Sequence, residues 1–120
     1  MKTIIAGSRT VTNYDTLKQA VKESGFEITE IVSGGARGAD SLGEKYAKEN
    51  NIPMKIFPAE WDKHGKAAGY IRNEQMAEYV GEAGQLIALH LNESRGTAHM
   101  ISLAKKNGLK IFVKKVEFDK

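Results

Sequence analysis

Five short apolar runs alternate along this chain with four segments of helical character, and this alternation constrains the fold more than any other feature. The runs cover residues 2–7, about 30–33, 54–57, 86–89 and 111–113. The first is rich in β-branched residues and lacks polar alternation, which is typical of a strand buried on both faces of a parallel sheet. The chain is therefore expected to be an α/β protein built from repeated strand–helix units.

The first two connecting helices have recognisable ends. Asn13 can cap the first helix, and Gly25 can close it in a left-handed conformation. Small and apolar residues recur at helical spacing from Ala39 onward, and the sequence that begins at Asn50 ends this second helix.

Residues 58–68 interrupt the pattern between the third strand and the third helix. They are expected to form a polar loop that holds the single tryptophan, Trp61. Loops of this length in compact domains are often functional. The third helix is then expected at about residues 69–80, and the fourth helix runs to Asn107.

These elements predict one domain over residues 1–120 with a Rossmann-like three-layer sandwich. Right-handed crossovers deposit helices on both faces of a parallel sheet, so the expected core is a five-stranded sheet in the order 3-2-1-4-5 with four helices. In that order the connections diverge between strands one and four and leave a crevice at the carboxyl edge.

The composition excludes several kinds of site. There are no cysteines, so disulfides, thiol nucleophiles and cysteine metal sites are impossible. The three histidines, His64, His90 and His99, lack the close spacing of a zinc site, so no metal is expected.

Charge and hydropathy restrict the partners. The net charge of +3 is mild, and a nucleic-acid binder usually shows a denser basic face, so a nucleic-acid partner is disfavoured. No apolar run approaches the roughly 18 residues of a membrane span, and the N-terminus has no signal-peptide pattern. We expect a soluble cytoplasmic protein with no membrane partner.

The glycine-rich segment 31–40 runs from the second strand into the second helix. Gly34, Gly35 and Gly38 carry no Cβ, so an anion could approach their N–H groups at the positive end of the helix dipole, and Arg37 would add a charged group. Alternatively, these glycines serve only the backbone geometry of the turn and bind no ligand. The segment is neither a P-loop nor a plain G-x-G-x-x-G, so a dinucleotide redox cofactor is disfavoured and no resident cofactor is expected.

Three turns are expected to meet at the carboxyl edge of the sheet, namely residues 7–9, 34–40 and 94–97. With two residues of the third helix they form a candidate ligand-binding set. Its members are Gly7, Ser8, Arg9, Gly34, Gly35, Ala36, Arg37, Gly38, Asp40, Arg72, Asn73, Ser94, Arg95, Gly96 and Thr97.

Several of these side chains also have a simpler interpretation. Asp40 could cap backbone donors of the second helix or contact ribose hydroxyls. Arg72, in the opening turn of the third helix, could meet an anion or extend into solvent, and Asn73 beside it could bond a base edge or a ribose. His99 is interpreted as a surface or packed histidine, and Trp61 as closing a loop over the sheet rather than stacking on a nucleobase.

Four motifs in this order resemble one known family. They are residues 7–9 (GSR), 33–40 (SGGARGAD), 69–76 (GYIRNEQM) and 94–100 (SRGTAHM). The combination resembles the YspA-type, YpsA-related family of the SLOG superfamily, whose members occur in bacteria and phages, and it spans about residues 2–113. The resemblance implies a Rossmann-like fold that binds a nucleotide or a nucleotide-derived ligand.

The same superfamily includes the Lonely Guy phosphoribohydrolases, which cleave the N-glycosidic bond of nucleoside monophosphates. Residues 72–76 are similar to their R-K-x-x-M helix start. Residues 92–100 are similar to their P-G-G-x-G-T-x-x-E segment, but Met100 stands where the catalytic glutamate would be. A thioether can neither transfer a proton nor stabilise an oxocarbenium-like transition state. The catalytic residues are therefore unassigned; if the chain is an enzyme, the candidates are Asp40, Glu93 and Arg72.

Three functions follow as hypotheses. The first is binding of a nucleotide-derived ligand, for sensing or sequestration, with Arg9, Arg37 and Arg72 on phosphate, Asp40 on ribose hydroxyls and Thr97 on a phosphate oxygen. The alternative is hydrolysis of the N-glycosidic bond of a nucleotide, and the third is DprA-like binding of single-stranded DNA. SLOG relatives often dimerise, so the resemblance also implies a homodimer or a higher homo-oligomer.

Overall fold

A computed structural model describes residues 1–8, 11–35, 38–91 and 95–116 of the chain. The strands are β1 (Lys2–Gly7), β2 (Glu30–Ser33), β3 (Met54–Ile56), β4 (Gln85–Leu91) and β5 (Lys110–Val116). The helices are α1 (Tyr14–Ser24), α2 (Ala39–Glu49), α3 (Trp61–His64), α4 (Ala68–Val80) and α5 (Arg95–Lys106), with a 3-10 turn at Gly65–Ala67 between α3 and α4.

The strands form one parallel sheet in the order β3-β2-β1-β4-β5, as the sequence predicts. Ile4 of β1 lies opposite Val32 of β2 on one side and Leu86 of β4 on the other. The chain thus reverses its direction of winding between β1 and β4, which is where an open α/β sheet leaves a crevice at its carboxyl edge.

Consecutive residues of β1 face opposite halves of the core because side chains alternate along a strand. Ile4 packs with Met76 of α4 and Met100 of α5. Ile5 packs with Leu17 of α1 and with residues of α2 on the other face. The sheet is therefore covered on both sides, which confirms the three-layer sandwich.

The ends of α1 form as the sequence predicts. The Asn13 side chain accepts a hydrogen bond from the backbone N–H of Asp15 at 2.9 Å. Gly25 follows the helix with φ 67°, the left-handed conformation that a glycine adopts without steric cost.

The prediction of a polar loop over residues 58–68 is wrong, because α3 and the 3-10 turn lie within it and α4 begins at Ala68. The described residues consequently contain four long helices, as expected, and one additional short helix. Backbone N–H groups of Lys63 and His64 donate to the Glu60 carbonyl at 3.0 and 2.9 Å. A helix of a single turn is too short to show an amphipathic period, so hydrophobic periodicity does not predict it.

Two strands are longer than their apolar centres. The ladder between β4 and β5 continues to the pair Leu91 and Val116, and it includes the charged Lys114 opposite Leu89. Backbone hydrogen bonds extend a strand beyond its apolar residues. Hydropathy indicates only the buried part of the strand. In the described part of the chain, no helix is both long enough and apolar enough to cross a membrane.

Candidate functional site

The buried polar side chains of the described residues divide between the two edges of the sheet. Thr3 and Gln85 lie at the starts of β1 and β4 and bond each other. The others belong to the carboxyl edge: Ser8, Ser33, Asp40, Asn73 and Thr97. Burying a polar side chain costs free energy unless it finds partners, so the concentration at the carboxyl edge marks this edge as the candidate site.

The turn after β1 is held tightly against its neighbours. A Cβ on Gly7 would stand 2.5 Å from the Leu89 carbonyl oxygen and 2.7 Å from the Ala39 Cβ, closer than real side chains approach. The Ser8 N–H donates to the Leu89 carbonyl at 3.3 Å, and the Ser8 carbonyl accepts from the Ala39 N–H at 3.2 Å. Gly7 therefore joins the end of β1 to both β4 and the start of α2.

The turn after β2 is organised by the Ser33 side chain. Its hydroxyl donates to Glu44 Oε2 at 2.9 Å and accepts from the Gly35 N–H at 3.1 Å. Gly35 and Gly38 have φ of 73° and 74°. Glycine adopts this left-handed conformation readily, so these residues form the turn that the sequence predicts. Since Gly38 precedes α2 and has no side chain, it offers no side-chain cap to the first turn of that helix.

Gly34 is where this turn meets two charged side chains. A Cβ at Gly34 would stand 2.1 Å from Arg72 Nη1 and 2.8 Å from Asp40 Oδ2. Arg72 Nη1 also donates to the Gly34 carbonyl at 2.7 Å. The guanidinium and the buried Asp40 carboxylate are therefore neighbours across the glycine backbone, one from α4 and the other from α2.

Asn73 connects α4 to the first turn of α5. Its Oδ1 accepts from Arg72 Nε at 3.1 Å, and its Nδ2 lies 3.4 Å from the Gly96 carbonyl oxygen and 3.2 Å from His99 Nδ1. His99 in turn makes an edge-to-face contact with Tyr70, with ring centroids 4.5 Å apart. The glycine turn, α4 and α5 are thus joined by one polar network.

The structure brings most of the predicted set together. Gly7, Ser8, Gly34, Gly35, Gly38, Asp40, Arg72, Asn73, Gly96 and Thr97 lie at the carboxyl edge or on the helix turns that border it. Arg95 is exposed and is the first residue of α5. Arg9, Ala36, Arg37, Glu93 and Ser94 lie outside the described residues.

One feature of α4 differs from the prediction. Because α4 begins at Ala68, Arg72 is in its second turn rather than its opening turn. His99, interpreted as a surface or packed histidine, is half-buried and packs against Tyr70, and its ring also contacts Asn73. The available signal was spacing: His99 follows Gly96 by three residues and therefore shares its helix face.

Met100 does not border the crevice. Its side chain is 1% exposed and packs in the core cluster of α4 and α5 beside Met76 and Ile4. A glutamate placed there with the same side-chain direction would be buried among apolar groups. Asp40, which is 7% exposed, provides a buried carboxylate beside Gly34 at the glycine turn.

Comparison with known proteins gives two matches of different extent. The family model YAcAr, described as the YspA, cpYpsA-related SLOG family, matches residues 1–64, which carry β1 to α3 and include Gly34 and Asp40. The Gene 61 protein of Mycobacterium phage D29 is 32% identical over 119 residues, covering 92% of this chain and 93% of that protein. No solved structure matches. The chain belongs to the YspA, cpYpsA-related SLOG family.

Proposed function

We propose that the crevice at the carboxyl edge binds a phosphorylated nucleoside or another nucleotide-derived ligand. The observation that carries this proposal is the cluster in which Asp40, Arg72 and Asn73 surround the Gly34 turn. It combines a buried carboxylate, a guanidinium and an amide, which suit hydroxyl groups, an anion and a base or sugar edge respectively.

The phosphate is assigned to the glycine turn and the first turn of α2. Glycines let an anion reach backbone N–H groups, and an N-terminal helix turn adds the positive end of its dipole. Gly38 contributes no capping side chain of its own. Arg72, which holds the Gly34 carbonyl, places a permanent positive charge beside this turn.

The ribose is assigned to Asp40. An ionised carboxylate only accepts hydrogen bonds, so it recognises a pair of neighbouring hydroxyl groups. Asp40 lies in the first turn of α2 and is almost fully buried beside Gly34. A sugar bound next to a phosphate at the glycine turn would therefore meet this carboxylate.

Calorimetry with a panel of mononucleotides, dinucleotides and ADP-ribose derivatives tests the proposal. Asp40→Asn is expected to weaken binding of the best nucleotide at least tenfold. The asparagine NH2 group is a donor, so it cannot accept a hydrogen bond from a ribose hydroxyl as a carboxylate oxygen does. Asp15→Asn is the matched control, since Asp15 also lies in the first turn of a helix but is largely exposed. If the folded wild type binds no member of the panel at millimolar concentration, the proposal is wrong.

Hydrolysis of an N-glycosidic bond is the second candidate, and the burial of Asp40 favours it. A carboxylate next to a bound ribose could stabilise an oxocarbenium-like transition state, although Met100 is in the core and supplies no acid. Chromatography after incubation with each mononucleotide would detect free base and ribose phosphate. We expect Asp40→Asn to abolish any such release, and unchanged mononucleotides with the wild type would reject hydrolysis for them.

A further inference from the structure

The hydrogen bonds around Asn73 determine which way its amide group faces. Arg72 Nε is always a donor, so the Asn73 atom that it contacts at 3.1 Å must be the oxygen. The Gly96 carbonyl oxygen is always an acceptor, and it lies 3.4 Å from the opposite end of the amide. Both neighbours therefore require the NH2 group of Asn73 to face α5.

The same orientation determines the state of the His99 ring. The Asn73 NH2 group is a donor only, and it lies 3.2 Å from His99 Nδ1. Nδ1 must therefore accept, and the proton of the neutral imidazole must be on Nε2. That nitrogen is on the side of the ring away from Asn73. The His99 ring is half-buried and contacts the exposed ring of Tyr70 edge to face.

We propose that Arg72 and Asn73 are positioning residues that hold His99 as a neutral Nε2–H donor, and that this donor recognises a hydrogen-bond acceptor on the base of the bound nucleotide. Tyr70 is 45% exposed and its ring contacts the His99 ring edge to face, so a partly exposed aromatic ring adjoins this histidine. An aromatic face next to a directed donor suits a nucleobase better than a phosphate. This assignment rests on the proposed nucleotide function, whereas the tautomer of His99 does not.

Nitrogen NMR of the histidine rings tests the tautomer without any ligand. Spectra are recorded near pH 9, above the ordinary imidazole pKa of about 6.5, so that the rings are neutral. In the wild type we expect His99 to carry its proton on Nε2. In Asn73→Asp the carboxylate only accepts, and we expect the proton to move to Nδ1. Asn13→Asp is the matched control, because aspartate caps a helix as well as asparagine does, and its His99 spectrum should equal that of the wild type.

The spectra overturn this assignment of the tautomer if the wild-type proton is on Nδ1 or if Asn73→Asp leaves the tautomer unchanged. Should Asn73→Asp fail to fold, the wild-type spectrum still tests the assignment, because a proton on Nδ1 would overturn it. His64 in the same spectra serves as an internal reference, because it lies in α3 and has no part in this network.

Binding of adenosine and uridine 5′-monophosphates, with inorganic phosphate as reference, tests the role of the donor. In His99→Gln the amide nitrogen can take the place of Nε2, whereas the shorter side chain of His99→Asn cannot reach it. We expect His99→Gln to retain nucleotide affinity within about threefold, His99→Asn to lose about tenfold, and both to bind phosphate as the wild type does. Equal losses in the two variants, or a matching loss for phosphate, would overturn the role in base recognition. If the wild type binds neither nucleotide, the role in base recognition is overturned, whereas the proposed function is decided by the wider panel and the tautomer by the spectra.

Discussion

At the scale of single residues, Gly34 leaves the space for a side chain to two charged groups. We predict that Gly34→Ala destabilises the protein by about 1 kcal/mol, the lower end of the usual cost of an extra carbon in a filled space, because the ends of two side chains can move. The added Cβ would meet Arg72 Nη1 at 2.1 Å and Asp40 Oδ2 at 2.8 Å, so at least one charged side chain must leave its position. Urea unfolding followed by circular dichroism measures this change.

Gly96→Ala is the matched control for this prediction. Gly96 lies in the first turn of α5, and a Cβ there would meet no atom within 4 Å. Alanine is about 1 kcal/mol better than glycine inside a helix, so this variant should be as stable as the wild type or slightly more stable. Equal destabilisation by the two substitutions would show that the clash of the added Cβ at Gly34 is not the cause of the lost stability.

The sequence predicts that the glycine turn and Asp40 belong to a site, but it does not reveal what they contact. Asp40 and the glycines are close together in the chain, so their spacing predicts a turn that leads into a helix. Arg72 reaches the Gly34 carbonyl across 38 positions of sequence. A contact of that kind depends on how α4 packs against β2. The pattern of neighbouring residues in the sequence does not predict this packing.

At the scale of elements, a tyrosine links the start of α1 to the end of α2. The Tyr14 hydroxyl donates to Glu49 Oε1 at 2.8 Å. Burial, then the hydrogen bond and the charge of Glu49, raise the pKa of Tyr14 to about 12, from the ordinary 10.0. The folded state therefore holds the phenol proton more strongly than the unfolded chain does.

We predict that the stabilising contribution of Tyr14 is complete below pH 10 and is lost as the pH rises to 12. Over this range the unfolded chain releases the proton first, so the free energy of unfolding falls with pH. Urea unfolding at pH 9, 10 and 11 should show that the stability difference between wild type and Tyr14→Phe shrinks as the pH rises. A constant difference would contradict the prediction. Glu49→Gln is the control for the carboxylate, and it should lower the pKa of Tyr14 only in part, because burial remains.

The elements themselves are largely predictable from the sequence, with one instructive exception. The ends of α1 carry chemical signals in Asn13 and Gly25, and both perform the expected roles. The short helix α3 (Trp61–His64) carries none, because its residues are all exposed or half-buried and show no periodic face. It forms through backbone hydrogen bonds to Glu60, and such bonds do not depend on the side-chain pattern.

At the scale of the whole molecule, the two edges of the sheet have different roles. At the amino edge, Gln85 Nε2 donates to Thr3 Oγ1 at 2.8 Å and to the Glu27 carbonyl at 3.1 Å. Thr3 and Gln85 are each 2% exposed or less. These groups satisfy one another with protein partners. At the carboxyl edge, the network of Asp40, Arg72 and Asn73 surrounds glycine turns instead, in the region where open α/β sheets bind their ligands.

We predict from this division that Thr3→Val lowers the free energy of unfolding by about 1 kcal/mol and leaves nucleotide affinity unchanged. Valine nearly matches the shape of threonine but removes the oxygen that Gln85 contacts, so one buried amide loses a partner. Thr3→Ser keeps the hydroxyl and serves as the control. Urea unfolding without ligand and calorimetry with the best nucleotide of the panel measure the two quantities. Loss of affinity in Thr3→Val, at a temperature where the variant is fully folded, would contradict the prediction, because it would mean that the amino edge also contributes to binding.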